Sequence, residues 1–199
     1  MTVPPRGRDP ALVDGRTATT HPPEGGRSVG DVLASSRDTA ARRPAVAPIQ
    51  EAVDIYRALA DSAPDTYLPD LAASLNNLSN QLAGVGRRAD AVAPIQEAVD
   101  IRRALADSAP DTYLPDLAMS AYNLTLSQTQ ENRLQDALPD AREAVSTYRV
   151  LADTQADLFL EDLRDALRLA LGILDELDRS EERESVRREL EDVEQRLRD

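Results

Sequence analysis

Side chains able to do chemistry are scarce in this sequence. The single His, His21, lies near the front, so the rest of the chain has neither an imidazole base nor an imidazole metal ligand. There is no Cys, which excludes disulfides and thiolate metal sites and leaves the redox compartment unreadable. Lys is also missing, every basic side chain being Arg. A phosphate-loop lysine, a Schiff base and a Ser-Lys dyad are all impossible. Carboxylate pairs such as Asp175 with Glu176 and Glu181 with Glu182 fall in charged runs, which read as solvated helix faces rather than acid–base pairs. The sequence therefore assigns no catalytic residue, no metal site and no cofactor, and an enzyme is not expected. The all-Arg usage fits a high-GC bacterial genome.

The elements that carry these residues must pack without large rings. Aromatics make up 3% of the chain, Trp is absent and Phe occurs once, at Phe159, so a core has to be built from Ala, Leu, Val and Ile. Such residues suit close helix-on-helix packing. The net charge of -13 and pI near 4.5 argue against a grip on phosphate backbones, so nucleic acid is not an expected partner. The first 43 residues carry seven Arg against five acids, which places the acidity in the remainder. Both signs interleave there, as expected of a soluble surface. No apolar run reaches the length of a signal peptide or membrane span, which leads to a cytoplasmic expectation with no membrane partner.

A repeat organises the chain. The segment beginning at Ala45 recurs at Ala91 with a single change, Tyr56 to Arg102, at a period of 46 residues. A diverged third copy begins at Ala137, and Arg188-Glu189, Leu197 and Asp199 keep the register of a partial fourth. Leu68, Leu71, Leu75, Leu78, Leu82 and Val85 step by three and four, as do Val92, Ile95, Val99 and Ala106 with Arg102 interrupting. Each series is one stripe of a helix. Gly86 between them can take the left-handed conformation that ends a helix. At the other junction Pro64 breaks the helix, and Asp65 and Thr66 are able to cap the next. Pro69 and Pro115 fit the first turn of the helix they open, whereas Pro48, Pro94 and Pro139 predict a delayed start or a slight bend. The unit is a helical hairpin that cannot bury its stripe alone, so copies stack into an all-α solenoid.

The period lies within the range of HEAT and armadillo repeats, and position matching favours another family. Leu75, the Leu78-Ser79 pair, Leu82, Gly86, Ala91, Ile95 and Ala98 resemble the tetratricopeptide (TPR) pattern, with Arg103 where that family places its closing Pro. The extra dozen residues would lengthen the two helices by roughly 9 Å each. This is similar to the long-repeat branch to which kinesin light chains belong, and the string Leu75-Asn76-Asn77-Leu78 is typical of it. The second copy keeps Asn123-Leu124 and Ala137 but has Ala121 and Gln128 at two large sites. The third has Leu167, Ala170 and Leu174 with a bulky Leu171 at the small site.

The resemblance implies a right-handed superhelix whose inner face is lined by the first helix of each hairpin. Contacts to a partner would fall on Asn76, Asn77 and Asn80, then Tyr122, Asn123 and Leu126, then Arg168, Leu169 and Gly172, with Met119 a neighbour able to tune specificity. A carboxamide has both donor and acceptor, enough to bracket one peptide unit of a ligand. The competing reading is that these Asn residues only satisfy backbone groups between stacked repeats. Arg168 is the single cation among the positions named, so a clamp for an acidic C-terminal tail is not expected.

The ends complete the domain expectation: a poorly ordered tail over 1–43 with a short helix over 28–36 opened by a Ser28–Asp31 capping box, a repeat domain over 44–199, and a C-terminal capping helix over 182–198. An uncovered apolar edge at Ala45 would offer a homodimer contact. The expected function is a non-catalytic protein–protein interaction scaffold that holds a peptide or helix of a partner protein in its concave groove. The alternative is a sensor array of a larger signalling NTPase or regulator, encoded separately or truncated.

Overall fold

Three residues in the left-handed backbone region, Gly86 (φ 81°), Asn132 (φ 57°) and Asp178 (φ 52°), stand one period apart and mark three equivalent helix ends. At each, the following N–H reaches back five residues: Arg87 to the Leu82 carbonyl at 2.8 Å, Arg133 to Gln128 at 2.8 Å and Arg179 to Leu174 at 3.0 Å. This is the Schellman closure that satisfies the last carbonyls of a helix. The expectation for Gly86 holds, and Asn and Asp take its place in the later copies because their short polar side chains tolerate this conformation.

The computed structural model describes residues 29–198, with side chains from 46 onward. The tail with His21, the residue Ser28 of the capping box and the side chain of Ala45 lie outside the described residues. The chain divides into two units, Met1–Ser36 and Arg37–Asp199, and of the first only the helical backbone of 29–36 is described. The elements are α1 (Val29–Ser62), α2 (Pro64–Gly84), α3 (Arg88–Ser108), α4 (Pro110–Gln130), α5 (Leu134–Thr154), α6 (Ala156–Glu176) and α7 (Ser180–Arg196). No strand occurs among the described residues. The helix α1 takes in the stretch 28–36 from Val29 and continues without a break. Helices α2 to α6 are each 21 residues long.

From α2 to α7 each helix packs on the next in sequence, and beyond that α4 and α6 touch only sparsely. The fold is therefore an all-helical array of TPR-like hairpins, in which α2, α4 and α6 are the first helices and α3, α5 and α7 the second. Its core is made of small aliphatics, as composition requires: Val53, Leu75, Ile95 and Val99 in one cluster, Ala144, Leu167, Ile173 and Val193 in another. The two meet at α4, which gives Leu117 and Leu124 to the first and Ala118 and Ala121 to the second.

The prolines depart from expectation. Pro64 and Pro110 occupy the first turns, while Pro69 and Pro115 sit inside the helices. Nor are the starts of α3 and α5 delayed, since Pro94 and Pro139 are interior as well. A ring there removes one bond to the carbonyl four residues back. For Pro94 and Pro69 those carbonyls belong to Asp90 and Asp65, both exposed, where water replaces the lost donor. Asp65 and Thr66 do not cap either. Single residues, Ala63, Ala109 and Gln155, link the hairpins and make no side-chain cap bond. Instead Ser62, Ser108 and Thr154 donate to the last-turn carbonyls of Leu59, Leu105 and Leu151.

A ladder of ion pairs stitches the second helices together. Arg57 of α1 meets Glu97 of α3 at 2.7 Å, Arg103 meets Glu143 of α5 at 2.6 Å and Arg149 meets Glu189 of α7 at 2.7 Å, each guanidinium engaging both carboxylate oxygens. The side chains remain partly in water, so each rung contributes about 0–1 kcal/mol. Their value is registry: the bonds form only when adjacent repeats are in phase.

Candidate protein-binding face

On α4, Met119, Tyr122, Asn123 and Leu126 are spaced by three, four and seven residues, which puts them on one side of the helix. The same register on α2 is Ala73, Asn76, Asn77 and Asn80, and on α6 it is Asp165, Arg168, Leu169 and Gly172. Met119 is 38% exposed, while Tyr122 and Leu126 are half-buried. Together they make an apolar strip along the middle first helix. Asn77 and Asn80 are exposed and, with Gln81 and Gly84, border a shallow depression against Ile49 of α1.

The asparagines behave unequally. Asn76 is 6% exposed, and its Oδ1 accepts a bond from Asn123 Nδ2 at 3.1 Å. These two amides join α2 to α4 side chain to side chain, rather than through the backbone groups that the competing reading named. Asn77, one residue along, keeps its carboxamide in solvent. The spacing that marked Asn77 and Asn123 as equivalent holds in sequence, but only one of them is unengaged.

Arg168 is not a free cation either. Its guanidinium meets Glu194 of α7 at 2.5 Å and lies 3.9 Å from Asp165. Asp165 is further held by Arg164 at 2.9 Å. Like Glu161 beside it and Asp116 at the equivalent place on α4, Asp162, absent from the residues singled out in sequence, is an exposed carboxylate with no ion pair among the described residues. Burial, then Asp165 and Glu161, hold its carboxyl above the usual carboxylate range, against the pull of Arg164. It lies close enough to Tyr122 and Tyr148 to act on both: burial, then Asp165 and Asp162, push the Tyr122 phenol up, and burial, Asp162 and Tyr122 do the same to Tyr148.

Gly172 is mid-helix in α6 and exposed. A Cβ added there would meet nothing within 4 Å, so packing does not require the glycine. In a helix interior it costs roughly 0.5–1 kcal/mol relative to Ala.

The two near-identical copies differ mainly along this part of the hairpin. Across the 28 residues from Ala45 to Ala72 one position changes, whereas from Ala73 to Asp90 only Ser74, Asn77, Leu78, Arg87 and Asp90 recur in the next copy. The changes include buried sites, Leu75 to Ala121 and Leu82 to Gln128. In the register of the face they replace Ala73, the buried Asn76 and the exposed Asn80 by Met119, Tyr122 and Leu126.

Fold and face together define a TPR-like helical repeat array with a chemically graded first-helix side: amides on α2, apolar groups on α4, charges on α6. No family model and no curated protein matches the sequence. Among solved structures the chain is similar to a Podosopora anserina protein described as a kinesin light chain with nearly identical TPR-like repeats. The identity is 16% and the TM-score 0.35, over 82% of this chain and 92% of that one. The fold described above rests on the helices of this chain alone.

Proposed function

We propose that the protein is an interaction scaffold whose first-helix face binds a segment of a partner protein. The observation that carries this reading is where the repeats differ. Between the first two copies the stretch from Ala45 to Ala72 recurs with a single change, while Ala73, Asn76 and Asn80 on α2 become Met119, Tyr122 and Leu126 on α4. An array used only as a spacer has no need of graded chemistry on one side, whereas a binding face needs distinct subsites along its length. Asn77 and Asn80 then offer amide hydrogen bonds to a partner backbone, and Met119, Tyr122 and Leu126 offer the apolar contact that gives most of the affinity.

A photo-crosslinking residue placed at Leu126, compared with one at Val150 on α5, tests the reading in the native cell. Val150 is 53% exposed and lies on a second helix. A discrete adduct from position 126 and none from 150 is the expected result. Equal adducts from both positions, or none from 126, would overturn the proposal.

A further inference from the structure

The helix α1 repeats α3 almost letter for letter, and the two copies are not equally covered. From Ala45 to Ser62 only Tyr56 differs from the stretch 91–108. Val46, Val53 and Ala60 are buried, as are Val92, Val99 and Ala106 at the same places on α3. The neighbouring stripe differs. Ile95 and Ala98 are fully buried, Ile101 is half-buried, and α2 packs along the helix that carries them. Their copies Ile49 and Ala52 are only half-buried, and Ile55 is 53% exposed. What precedes α3 in the chain is the pair α1–α2. The structure thus shows which chemistry covers this stripe: a first helix with leucines along one side.

Two polar groups at the same end are open in the same register. Each rung of the ladder joins an Arg of one second helix to a Glu of the next, Arg57 to Glu97, Arg103 to Glu143 and Arg149 to Glu189. Glu51, one period before Glu97, is exposed and meets no Arg among the described residues. Asn123 donates to Asn76 of the preceding first helix, whereas its copy Asn77 has no such neighbour among the described residues. Ile49 and Asn77 line one depression, so the bare stripe and the open amide lie side by side. The far end of the array is different in kind. Glu191 and Glu194 of α7 stand where α3 has Val99 and Arg102, and Gln195 stands where the rungs have their Arg. A second copy therefore presents no matching α7 surface, and its α4 and α6 are packed between second helices. Residues 1–28 hold one Leu and five Pro against the five Leu of α2, too few apolar groups to supply that helix.

We propose that the N-terminal end of the array docks a helix pair of a partner protein, ordered second helix then first helix like α1–α2. The partner's first helix lays an aliphatic stripe over Ile49, Ala52 and Ile55 and offers a side-chain amide to Asn77, while its second helix sends an Arg to Glu51. Apolar burial holds the pair in place, and the two polar contacts fix its register. The array is lengthened by one repeat. Asn77 uses one N–H in the amide bridge and keeps its oxygen for a ligand on the first-helix face. This surface is separate from Met119, Tyr122 and Leu126 and does not depend on what binds there.

The probe is a peptide of residues 45–84, the pair that precedes α3, with its own bare stripe blocked by Ala52→Arg so that it cannot propagate. Titrated against the full chain by fluorescence anisotropy, it should bind one to one. Ala52→Arg in the full chain should weaken it at least about tenfold, since the added charge would be buried without a partner, and Ile55→Asn should weaken it as well. Neither variant should lower the melting temperature, because the stripe is bare in the free chain. Glu51→Gln should weaken the peptide about two- to fivefold, with no further loss once the peptide carries Arg57→Gln. Asn77→Ala should show the same coupling to Asn76→Ala in the peptide. Leu126→Asn should leave binding unchanged, which keeps this result apart from the fate of the first-helix face. No binding, or binding indifferent to both Ala52→Arg and Ile55→Asn, would overturn the proposal. A lowered melting temperature in both variants would show the stripe already covered within the chain, and self-association of the full chain that Ala52→Arg abolishes would make a second copy the occupant; either would overturn it too.

Discussion

At the scale of single residues, the one change between the first two copies is also the most informative. Arg102 is 4% exposed, and its guanidinium donates to the Asp116 carbonyl at 3.1 Å and to the Ser120 hydroxyl. Burial lowers its pKa, with Asp116 acting in the opposite sense. The first and third copies have Tyr56 and Tyr148 at this place, and Ser74, the equivalent of Ser120, is buried in the first copy, which has Tyr56 in place of the Arg. Arg102→Tyr is therefore expected to be neutral or to stabilise by up to about 2 kcal/mol, since a neutral ring replaces a desolvated cation. Denaturant unfolding measures it, and a loss above about 1 kcal/mol would show that the Arg bonds outweigh the desolvation. Tyr148 makes the complementary prediction about pH. Its phenol is raised above the ordinary 10.0 by burial, Asp162 and Tyr122, so its contribution is complete below pH 10 and is lost as pH rises through the folded value. Thermal melts of the native chain should fall steeply above about pH 10, and Tyr148→Phe should flatten that fall. Arg102 was visible in the sequence as a break in an apolar stripe. Its partners were not, because they lie on the next hairpin and no local spacing encodes them.

At the scale of elements, helix ends were legible where glycine marks them and misread where proline does. The rule that proline opens a helix placed the starts at Pro69 and Pro115, about a turn too late, because Pro64 and Pro110 were read as linkers. What escapes a local rule is that an outward-facing helix tolerates interior proline when the freed carbonyl is wet. The left-handed positions allow a paired test. Gly86 has nothing within 4 Å of an added Cβ, so Gly86→Ala should cost only the backbone term, about 1–2 kcal/mol. Asp178→Gly, at the equivalent place, should change stability by less than that cost, because Asp already relieves part of the strain and glycine adds freedom to the unfolded chain. Equal and large losses from both variants would mean that the turns have side-chain roles beyond their backbone conformation. The face shows the same division. Met119, Tyr122, Leu126 and Asn77 could be placed in sequence because helical spacing defines a side. Asp162 and the Arg168–Glu194 pair could not, since they depend on which helix lies beside α6.

At the scale of the whole molecule, a linear array has stability that adds by neighbours, so a whole repeat should be removable where part of one is not. Excision of residues 91–136 takes out α3 and α4 and brings Asp90 to Ala137, which recreates the native step from Asp136 to Ala137. The Arg57 rung then meets Glu143 in place of Glu97, and Leu138 and Ala141 follow α2 in the places of Val92 and Ile95. That chain should keep the helical circular dichroism per residue of the parent, melt cooperatively, and melt lower because one interface is lost. Excision of half that length, residues 91–113, fuses the start of α3 to α4 out of phase, removes Glu97 and Arg103 and with them two of the three rungs, and should abolish the cooperative melt. The whole-repeat deletion also removes Met119, Tyr122 and Leu126 while leaving Asn77 and Asn80 in a folded chain. Peptides selected from a random library on the parent should lose their apolar anchor and bind it at least about tenfold more weakly. Undiminished binding to this folded deletion would move the binding site off α4 altogether, to a surface that the repeat does not grade.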